Sequence, residues 1–581
     1  MSALPEFRSV QDLRFGQSPT LDAWLLHFLT ENDLEHSLTP RENASPEQLR
    51  FMASLDEDQV FAPCSDRMLR LLLSLNLAEE LRHEYDWRWR KVAGIIEEFV
   101  PDAYTRERIL TLTRHKFRMV EASPIIIPSR MQKRFLTIFL TQSGLSDPHR
   151  SLRREYNTRA AEVIASDTVD RLLNICPADS IACHRLSDLR FDLDMIELER
   201  LLVMSTMSGF WLEPGYTPDF EALKAETLAV RDDFRHLRQA FGEGSRRSIK
   251  ILFLPEDSGG LMFDLLVIKA LLRQGHRVTL ALKNGFLFGS PAFWDWEADP
   301  ALAKALEGAH LLPEERMTKN ELLKAQREHS FLVISDGTRE DLNLYRTSVT
   351  FARAWKEADL VLAKGGVHRR RLLETGHRFT RDVVCFDRDR AGRFRLAFKP
   401  RPAEVRKFPE SALLSMAENI VLQMRQAKAG GKSVMFYSAI IGSLPGQTRT
   451  AIELVTAFVQ HLRGRLDKTF IINPAEHFEE GMDADDLMYM WEHVQRSGLI
   501  DVWRFQSVAD IEASFDLLHR KVPPIWAGKD STFSTGCTKE MQIALDMQRR
   551  TPEMQIIGPS PDKFFRRREY GVGKFSDAVL G

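Results

Sequence analysis

The chain has 581 residues, of which 44% are hydrophobic and 28% are charged, and its formal net charge at pH 7 is −2. This composition is typical of a soluble globular protein with several domains and argues against a disordered or fibrous chain. The nearly balanced charge argues against nucleic-acid binding driven by overall charge, so we expect no nucleic-acid partner.

The five cysteines are scattered, and an odd count without a disulfide framework indicates a reducing compartment. Cys176, Cys183 and His184 lie close in sequence, but no second ligand pair with zinc-site spacing accompanies them. No stretch reaches the roughly 18 apolar residues of a membrane span, and the N-terminus lacks the apolar core of a signal peptide. We therefore expect a cytoplasmic protein without a membrane partner.

The first part of the chain, residues 1–245, is predicted to be a helical region because amphipathic runs recur along it. Thr20 and Ser65 are the residue types that cap helix N-termini, and we predict helices beginning after each. The aromatic side chains of Trp87 and Trp89 are predicted to lie in the core rather than in a functional site.

A βαβ pattern opens the second part, residues 246–400. Ile249–Leu254 is predicted as a buried strand, Glu256–Gly260 as an acidic turn, Leu261–Arg273 as a helix and Val278–Leu282 as the next strand. A unit of this length forms a parallel crossover, and ligands bind such sheets beyond the carboxyl ends of the strands.

The same alternation continues along this domain, with strands predicted at Phe331–Ser335, Leu360–Ala363 and Val383–Phe386 and a helix at Thr347–Ala358. Several strands that end in glycine-containing turns, with helices between them, indicate a doubly wound parallel sheet.

Residues 401–430 are predicted to be a linker helix, and residues 431–581 a smaller α/β domain of unassigned role. The strands predicted in the smaller domain are Ser433–Tyr437, Lys468–Ile472, Val502–Phe505 and Glu553–Ile557, and the helices are Thr450–Leu462 and Asp483–Arg496. The predicted fold class is therefore α/β: a helical N-terminal region, a doubly wound parallel-sheet domain and a smaller C-terminal α/β domain. The sequence leaves the oligomeric state open.

Polar turns follow three strands of the middle domain and are expected at one edge of its sheet. Glu256 and Asp257 are oxygen ligands that suit a hard cation such as Mg²⁺ or Mn²⁺. Glycine and lysine after the later strands suit an anion, because glycine lets the backbone approach it and lysine neutralises it. These later turns are Asp336-Gly337-Thr338 and Lys364-Gly365-Gly366.

Two of these segments resemble the damage-control phosphatase family, also known as domain of unknown function 89 or acidic-residue-methyltransferase-1-like proteins. EDSGGLMFDLL (Glu256–Leu266) resembles the family's Asp-Asn-x-Gly-Glu signature and the apolar-apolar-Phe-Asp-Leu-Leu that follows it. ADLVLAKGGVH (Ala358–His368) resembles its Ala-Asp-Leu-Val-Ile-Ala-Lys-Gly-x-Gly-Asn signature. The resemblance covers roughly residues 246–390.

The resemblance implies a metal-dependent phosphatase with Mn, Mg, Co or Ni as its cation and a phosphorylated small molecule as its substrate. Glu256 and Asp257 would bind the metal, and Asp257, Asp336 and Lys364 would be the catalytic residues. Asp336 would support a ligand or orient the attacking water. The phosphate-binding residues would be Gly259, Gly260, Gly337, Thr338, Lys364, Gly365 and Gly366.

A second hypothesis is a catalytically inactive protein that binds or senses a phosphorylated metabolite with the same fold. It follows from Gly289 and Ser290, which stand where the family has an Asn-Asp pair that supplies a further metal ligand. Asp295, five residues on, is one candidate replacement for that carboxylate.

The C-terminal domain contains a second candidate anion site that the resemblance does not cover. GSLPGQT lies between a predicted strand and helix, and GKDSTFSTGCTKEM precedes another helix. Cys537 with His477 as base is a weaker nucleophile hypothesis. The residues of the second candidate site are Gly446, Thr448, Lys529, Ser534, Thr535 and Gly536.

Overall fold

The computed structural model describes residues 9–34, 46–56, 58–74, 77–175, 186–216, 219–230, 234–242, 248–444, 447–477, 479 and 481–569. Contacts divide the chain into two compact units, Met1–Ala403 (unit 1) and Glu404–Gly581 (unit 2). Among the described residues, no helix is long and apolar enough to cross a membrane. Cys176, Cys183, His184 and Gly446 lie outside the described residues.

Helices form the N-terminal part of unit 1, in agreement with the predicted helical region. Their bounds are α1 (Pro19–Glu31), α2 (Pro46–Leu49), α3 (Asp66–Leu73), α4 (Glu79–Phe99), α5 (Ala103–Ala122), α6 (Pro128–Ser143), α7 (Arg150–Ile164), α8 (Asp167–Asn174), α9 (Leu186–Ser205), α10 (Gly209–Leu212), α11 (Phe220–Ala229) and α12 (Arg235–Ala240).

Two details of this region differ from the sequence prediction. Ser65 caps α3 as predicted, but the cap of α1 is Ser18, whose side chain accepts from the N–H of Leu21, and the prediction of Thr20 was wrong. Trp89 packs against the core, whereas Trp87 is 54% exposed. Residues two apart lie on nearly opposite faces of a helix, so both rings of α4 cannot face the same core.

The remaining elements of unit 1 build an α/β sheet. The strands are β1 (Ala53–Ser54), β2 (Lys250–Leu254), β3 (Arg277–Leu282), β4 (His310–Leu312), β5 (Phe331–Ser335), β6 (Leu360–Lys364), β7 (Arg378–Phe379), β8 (Asp382–Arg388) and β9 (Phe394–Lys399). The helices are α13 (Ser258–Arg273), α14 (Pro300–Ala305), α15 (Lys319–Glu328), α16 (Val349–Glu357) and α17 (Gly366–His368).

The large sheet has the order β4-β5-β3-β2-β6-β8-β9 and is parallel except for the β8–β9 pair. Both of its faces are buried, because Ile251 and Phe253 of β2 lie in one hydrophobic core and Leu252 and Leu254 lie in another. The chain leaves β2 toward β3 on one side and later leaves β6 toward β8 on the other. The crevice between the carboxyl ends of β2 and β6 is therefore a topological switch point, where ligands bind in such sheets.

Helix α13 begins at Ser258, three residues earlier than predicted, so Gly259 and Gly260 lie in its first turn and not in a loop. A Cβ atom on Gly259 would overlap the ring of the buried Trp211. The backbone N–H and the hydroxyl of Ser258 both donate to the carbonyl oxygen of Gly289, at 2.9 Å each. Glycine has a low helix propensity, and the close packing at this helix start explains why it nevertheless occurs there.

Unit 2 is a smaller α/β layer structure. Its strands are β10 (Ser433–Ser438), β11 (Thr469–Ile472), β12 (Val502–Phe505) and β13 (Gln555–Ile557), and its helices are α18 (Glu410–Ala429), α19 (Thr448–Arg463), α20 (Ala484–Gln495), α21 (Val508–Leu517), α22 (Thr535–Arg550) and α23 (Pro561–Glu569). The sheet order is β11-β10-β12-β13, and every pair is parallel. Helix α18, which was predicted as a linker, contributes Leu413 and Met424 to the core of unit 2.

We expect Gly259→Ala to lower the free energy of unfolding by about 1–3 kcal/mol, because its methyl group would displace the buried Trp211. Gly289→Ala is the matched control, since a Cβ there meets nothing within 4 Å, and its effect should stay within about 0.5 kcal/mol. Urea unfolding followed by tryptophan fluorescence measures both variants. Equal losses in the two would contradict the packing role of Gly259.

Candidate functional site

The switch-point crevice of unit 1 brings together polar residues that follow β2 and β6. Glu256 and Asp257 follow β2, and Lys364 to Gly366 end β6 and follow it. The backbone N–H of Gly366 donates to Glu256 Oε1 at 3.1 Å, and Lys364 Nζ lies 3.4 Å from Asp257 Oδ1. Two of the three turns expected at one edge of the sheet are thus in direct contact.

A third carboxylate, Asp264 on α13, completes this cluster. Lys364 Nζ donates to both of its oxygens at 3.1 and 3.0 Å, and the Asp264 side chain is fully buried. Asp264 is the aspartate in the Phe-Asp-Leu-Leu part of the first family signature, but it was not predicted as a metal- or phosphate-binding residue. The available signal was a charged residue within an apolar helix face, where it needs a buried partner.

Negative charge exceeds positive charge in the carboxylate cluster, which contains Glu256, Asp257 and Asp264 against the single ammonium group of Lys364. Burial, together with the charge of Asp257, raises the pKa of Glu256 to about 7. Burial likewise raises the pKa of Asp264 to about 7, although Lys364 opposes the shift. Burial lowers the pKa of Lys364, but the three carboxylates outweigh that effect and raise it. The cluster would therefore be stabilised by additional positive charge.

Two glycines of the predicted phosphate-binding set make room for the carboxylate cluster. Gly365 has φ +102°, and a Cβ there would overlap the Glu256 carboxyl group. A Cβ on Gly260 would overlap both Lys364 Nζ and Asp257 Oδ1. Their close approach to these side chains accounts for glycine at both positions, and their contact with phosphate stays a prediction.

The third turn forms a neighbouring cluster around Asp336, which follows β5. The N–H of Thr338 donates to Asp336 Oδ1 at 2.7 Å, and Lys283 Nζ lies 2.7 Å from Asp336 Oδ2 and 3.2 Å from Thr338 Oγ1. Gly337 has φ +80°, and a Cβ there would lie 2.6 Å from the backbone nitrogen of Ser348. Lys283, directly after β3, was missed because a lone lysine at a strand end carries no distinctive pattern.

A small polar pocket opens at this edge of the sheet, and its polar lining residues are Lys283, Ser290, Asp336 and His368. Burial lowers the pKa of His368 to about 4, so its imidazole is neutral at pH 7. His368 Nδ1 lies 2.6 Å from the carbonyl oxygen of Lys364 and donates to it, which leaves Nε2 as a hydrogen-bond acceptor. The pocket therefore combines one ammonium group with acceptors for a water or hydroxyl.

The donor set fits a hydrated divalent cation better than a cation held by protein ligands alone. Among the described residues, no group of three or more His, Cys, Asp or Glu side chains could hold a metal ion. Asp257 Oδ1 is nevertheless buried and accepts no hydrogen bond within that part of the chain. Two carboxylates with water and substrate oxygens form a usual Mg²⁺ shell. Glu256 and Asp257 can supply these carboxylates.

The loop after β3 supplies no further carboxylate to this cluster. The carbonyl of Gly289 accepts the two hydrogen bonds from Ser258 and so anchors the start of α13. Asp295 is engaged by Arg153, whose Nε and Nη2 donate to its two oxygens at 2.9 and 2.6 Å.

The second candidate site lies in unit 2, with its described residues at two helix starts. Thr448 is the first residue of α19, and Ser534 caps α22, where its hydroxyl accepts from the N–H of Cys537 at 3.3 Å. Thr535 and Gly536 form the first turn of α22. Lys529 Nζ lies 4.0 Å from the centre of the Phe533 ring.

The structure does not support Cys537 as a nucleophile with His477 as its base. The thiol is buried, donates to the carbonyl of Ala439 at 3.3 Å, and has its pKa raised well above the usual value by burial and by Glu540. The ring of His477 packs edge-on against Trp491, and burial lowers its pKa. A neutral buried thiol lacks the thiolate character that nucleophilic attack requires.

Comparisons with known proteins find similarity only among solved structures. No protein-family model matches the chain, and no curated protein does. A solved DUF89 family protein from Pyrococcus horikoshii is similar at 17% sequence identity over 54% of this chain and 92% of that chain, with a TM-score of 0.37. A similarity at this identity and TM-score does not establish the family.

We expect Gly365→Ala to lower the free energy of unfolding by about 1–3 kcal/mol, because φ +102° disfavours alanine and its Cβ would overlap Glu256. Gly366→Ala is the control, since its Cβ would meet Arg370 at 3.5 Å, an ordinary contact.

Urea unfolding of Gly365→Ala in a Glu256→Ala background identifies the residue that is displaced. The cost of the alanine should be smaller in that background, because the overlapping carboxyl group is gone. An undiminished cost would show that the clash with Glu256 is not its source.

Proposed function

We propose that unit 1 is a divalent-cation-dependent hydrolase that acts on a phosphorylated small molecule. The carboxylate pair Glu256–Asp257 carries this proposal, because it lies at a topological switch point in a cluster with excess negative charge. The excess negative charge of the cluster favours the binding of a cation, and the ammonium group of Lys283 in the adjacent pocket favours the binding of a phosphate oxygen.

Glu256 and Asp257 would hold the cation, and a bound divalent cation would neutralise phosphate oxygens and polarise the phosphorus centre. Lys364 positions Asp257, because its ammonium group lies between the Asp257 and Asp264 carboxylates, and the N–H of Gly366 positions Glu256. The reacting phosphate would meet a preorganised charge distribution, which lowers the barrier for phosphoryl transfer.

The pocket residues would bind and orient the other reactants. Lys283 would bind a phosphate oxygen, and Asp336 would position Lys283 through their 2.7 Å contact. Nε2 of neutral His368 would accept a hydrogen bond from a water or substrate hydroxyl.

The alternative function is the binding of a phosphorylated metabolite without catalysis. The observation that favours it is the two-carboxylate donor set, because the carbonyl of Gly289 anchors α13 and the Asp295 carboxylate is engaged by Arg153. In this case the excess negative charge of the cluster would recognise a cation that accompanies the bound phosphate.

Asp257→Asn should weaken Mn²⁺ binding by about tenfold or more, because the variant keeps the shape of the side chain and removes one ligand charge. Isothermal titration measures the affinity, and release of phosphate from para-nitrophenyl phosphate measures turnover. The control is Asp167→Asn, an exposed carboxylate at the start of α8. An unchanged Mn²⁺ affinity in Asp257→Asn would remove this pair from the site.

Lys283→Met should weaken the binding of inorganic phosphate, measured by isothermal titration, by about tenfold, because one charged hydrogen bond to an anion is lost. Lys283→Arg should retain part of the affinity, and Lys304→Met on the exposed side of α14 should retain all of it. Phosphate bound through Lys283 without turnover in any of Mg²⁺, Mn²⁺, Co²⁺ or Ni²⁺ would favour the non-catalytic alternative. Phosphate affinity that is independent of Lys283 would contradict both.

A further inference from the structure

Unit 2 has a switch point of its own, between β10 and β12. The chain passes from β10 through α19 to β11 on one side of the sheet, and from β12 through α21 and α22 to β13 on the other. The carboxyl ends of β10 and β12 therefore border a crevice where ligands bind in parallel sheets.

Gln506, directly after β12, spans this crevice. Its backbone N–H donates to the carbonyl of Ser438 at 2.8 Å, and its Oε1 accepts from the N–H of Ile440 at 3.1 Å. The hydrogen bond from Ile440 fixes which end of the amide is oxygen. Gln506 is fully buried, and within the described part of the chain its Nε2 has no hydrogen-bond partner.

A second donor without a partner lies next to Gln506. The backbone N–H of Ser531 donates to the carbonyl of Gln506 at 2.9 Å, and Ser531 is fully buried. Its hydroxyl likewise has no hydrogen-bond partner among the residues that the structure describes. Buried polar groups are nearly always paired, so two adjacent groups without partners could both donate to an acceptor that a ligand supplies.

The first turn of α22 borders the same crevice. The hydrogen bond from the Cys537 thiol to the carbonyl of Ala439 places this turn against the segment that follows β10. Helix α22 has 16 residues, and its first intrahelical hydrogen bond runs from the N–H of Thr538 to Ser534. The N–H groups of Thr535 and Gly536 precede that bond and lie at the positive end of the helix dipole.

The acidic groups near the crevice are already compensated. Asp530 accepts from the N–H of Thr532 at 3.0 Å and pairs with Lys563 at 3.2 Å. Glu540 on α22 accepts from the Nε2 of Gln495 at 3.0 Å, and burial raises its pKa.

We propose that unit 2 binds an oxyanion of a small molecule, a phosphate or a carboxylate, between the carboxyl ends of β10 and β12. The amide of Gln506, the hydroxyl of Ser531 and the first turn of α22 would donate hydrogen bonds to its oxygens. A cation does not suit this crevice, because Gln506 Nε2 and the N–H groups that begin α22 can only donate. The proposal is independent of the function proposed for unit 1.

The test is hydrogen–deuterium exchange of the full chain with inorganic phosphate and, in a second arm, with malonate as a dicarboxylate probe. We expect slower exchange in peptides covering residues 438–444 and 506–538. Protection by phosphate alone identifies a phosphate site, and protection by malonate alone identifies a carboxylate site. The peptide location separates this site from phosphate binding in unit 1. Absence of protection by both probes in these peptides would overturn the proposal.

Gln506→Glu tests the donor role of Gln506 Nε2 most directly. It keeps the oxygen that accepts from the N–H of Ile440 and replaces the unpaired donor with a carboxylate oxygen. The concentration of probe needed for half-maximal protection should rise about tenfold or more. Gln460→Glu, on the exposed side of α19, controls for the added charge and should leave it unchanged.

Ser531→Ala gives an independent test in case Gln506→Glu does not fold, because it removes only the unpaired hydroxyl. It should also raise the half-maximal concentration, while the backbone contact to Gln506 is kept. Unchanged protection in both Gln506→Glu and Ser531→Ala would show that the anion is held elsewhere.

Discussion

The compensation of buried charge by Lys364 is the interaction on which the site in unit 1 depends. Three carboxylates approach one another at the end of β2 and in the first turns of α13, where burial removes the hydration of Asp264 and much of that of Glu256, while the Asp257 side chain stays 31% exposed. An uncompensated buried carboxylate would cost several kcal/mol. Lys364, at the end of the neighbouring strand β6, offsets part of this free-energy cost, because its ammonium group pairs with Asp264 and Asp257.

Several residues around the carboxylate cluster follow from this requirement. Gly260 and Gly365 leave space that side chains would occupy, and the ring of Trp211 lies 5.7 Å from Lys364 Nζ. Trp211 belongs to α10, so the helical region covers the cluster and shares a hydrophobic core with the sheet. A cover of this kind limits water access and strengthens the electrostatic interactions beneath it.

The central strands of both sheets could be predicted from the sequence, because apolar runs are local signals, whereas β1, β4, β7 and β9 were missed and the predicted turn Glu256–Gly260 proved to be helical from Ser258. Phe331–Ser335 and Val502–Phe505 were predicted with their observed bounds. Strand order could not be predicted, because it depends on pairing between distant segments, and strand order creates both switch points. Lys283 and Gln506 were missed for the same reason, since each becomes distinctive only through the partners that the fold brings to it or withholds from it.

The two switch points differ in the kind of group that a ligand would have to supply. At the first, a group with excess negative charge includes Asp257 Oδ1, which has an ion pair with Lys364 at 3.4 Å but no hydrogen bond in the described chain. At the second, the buried donors of Gln506 and Ser531 have no acceptor within the described residues. Folding alone gains nothing from leaving such groups without hydrogen bonds, because each forfeits its hydrogen bonds to water. A ligand that supplies the missing charge or acceptor would offset that cost, and the sign of each imbalance agrees with the ligand proposed for it: a cation in unit 1 and an anion in unit 2.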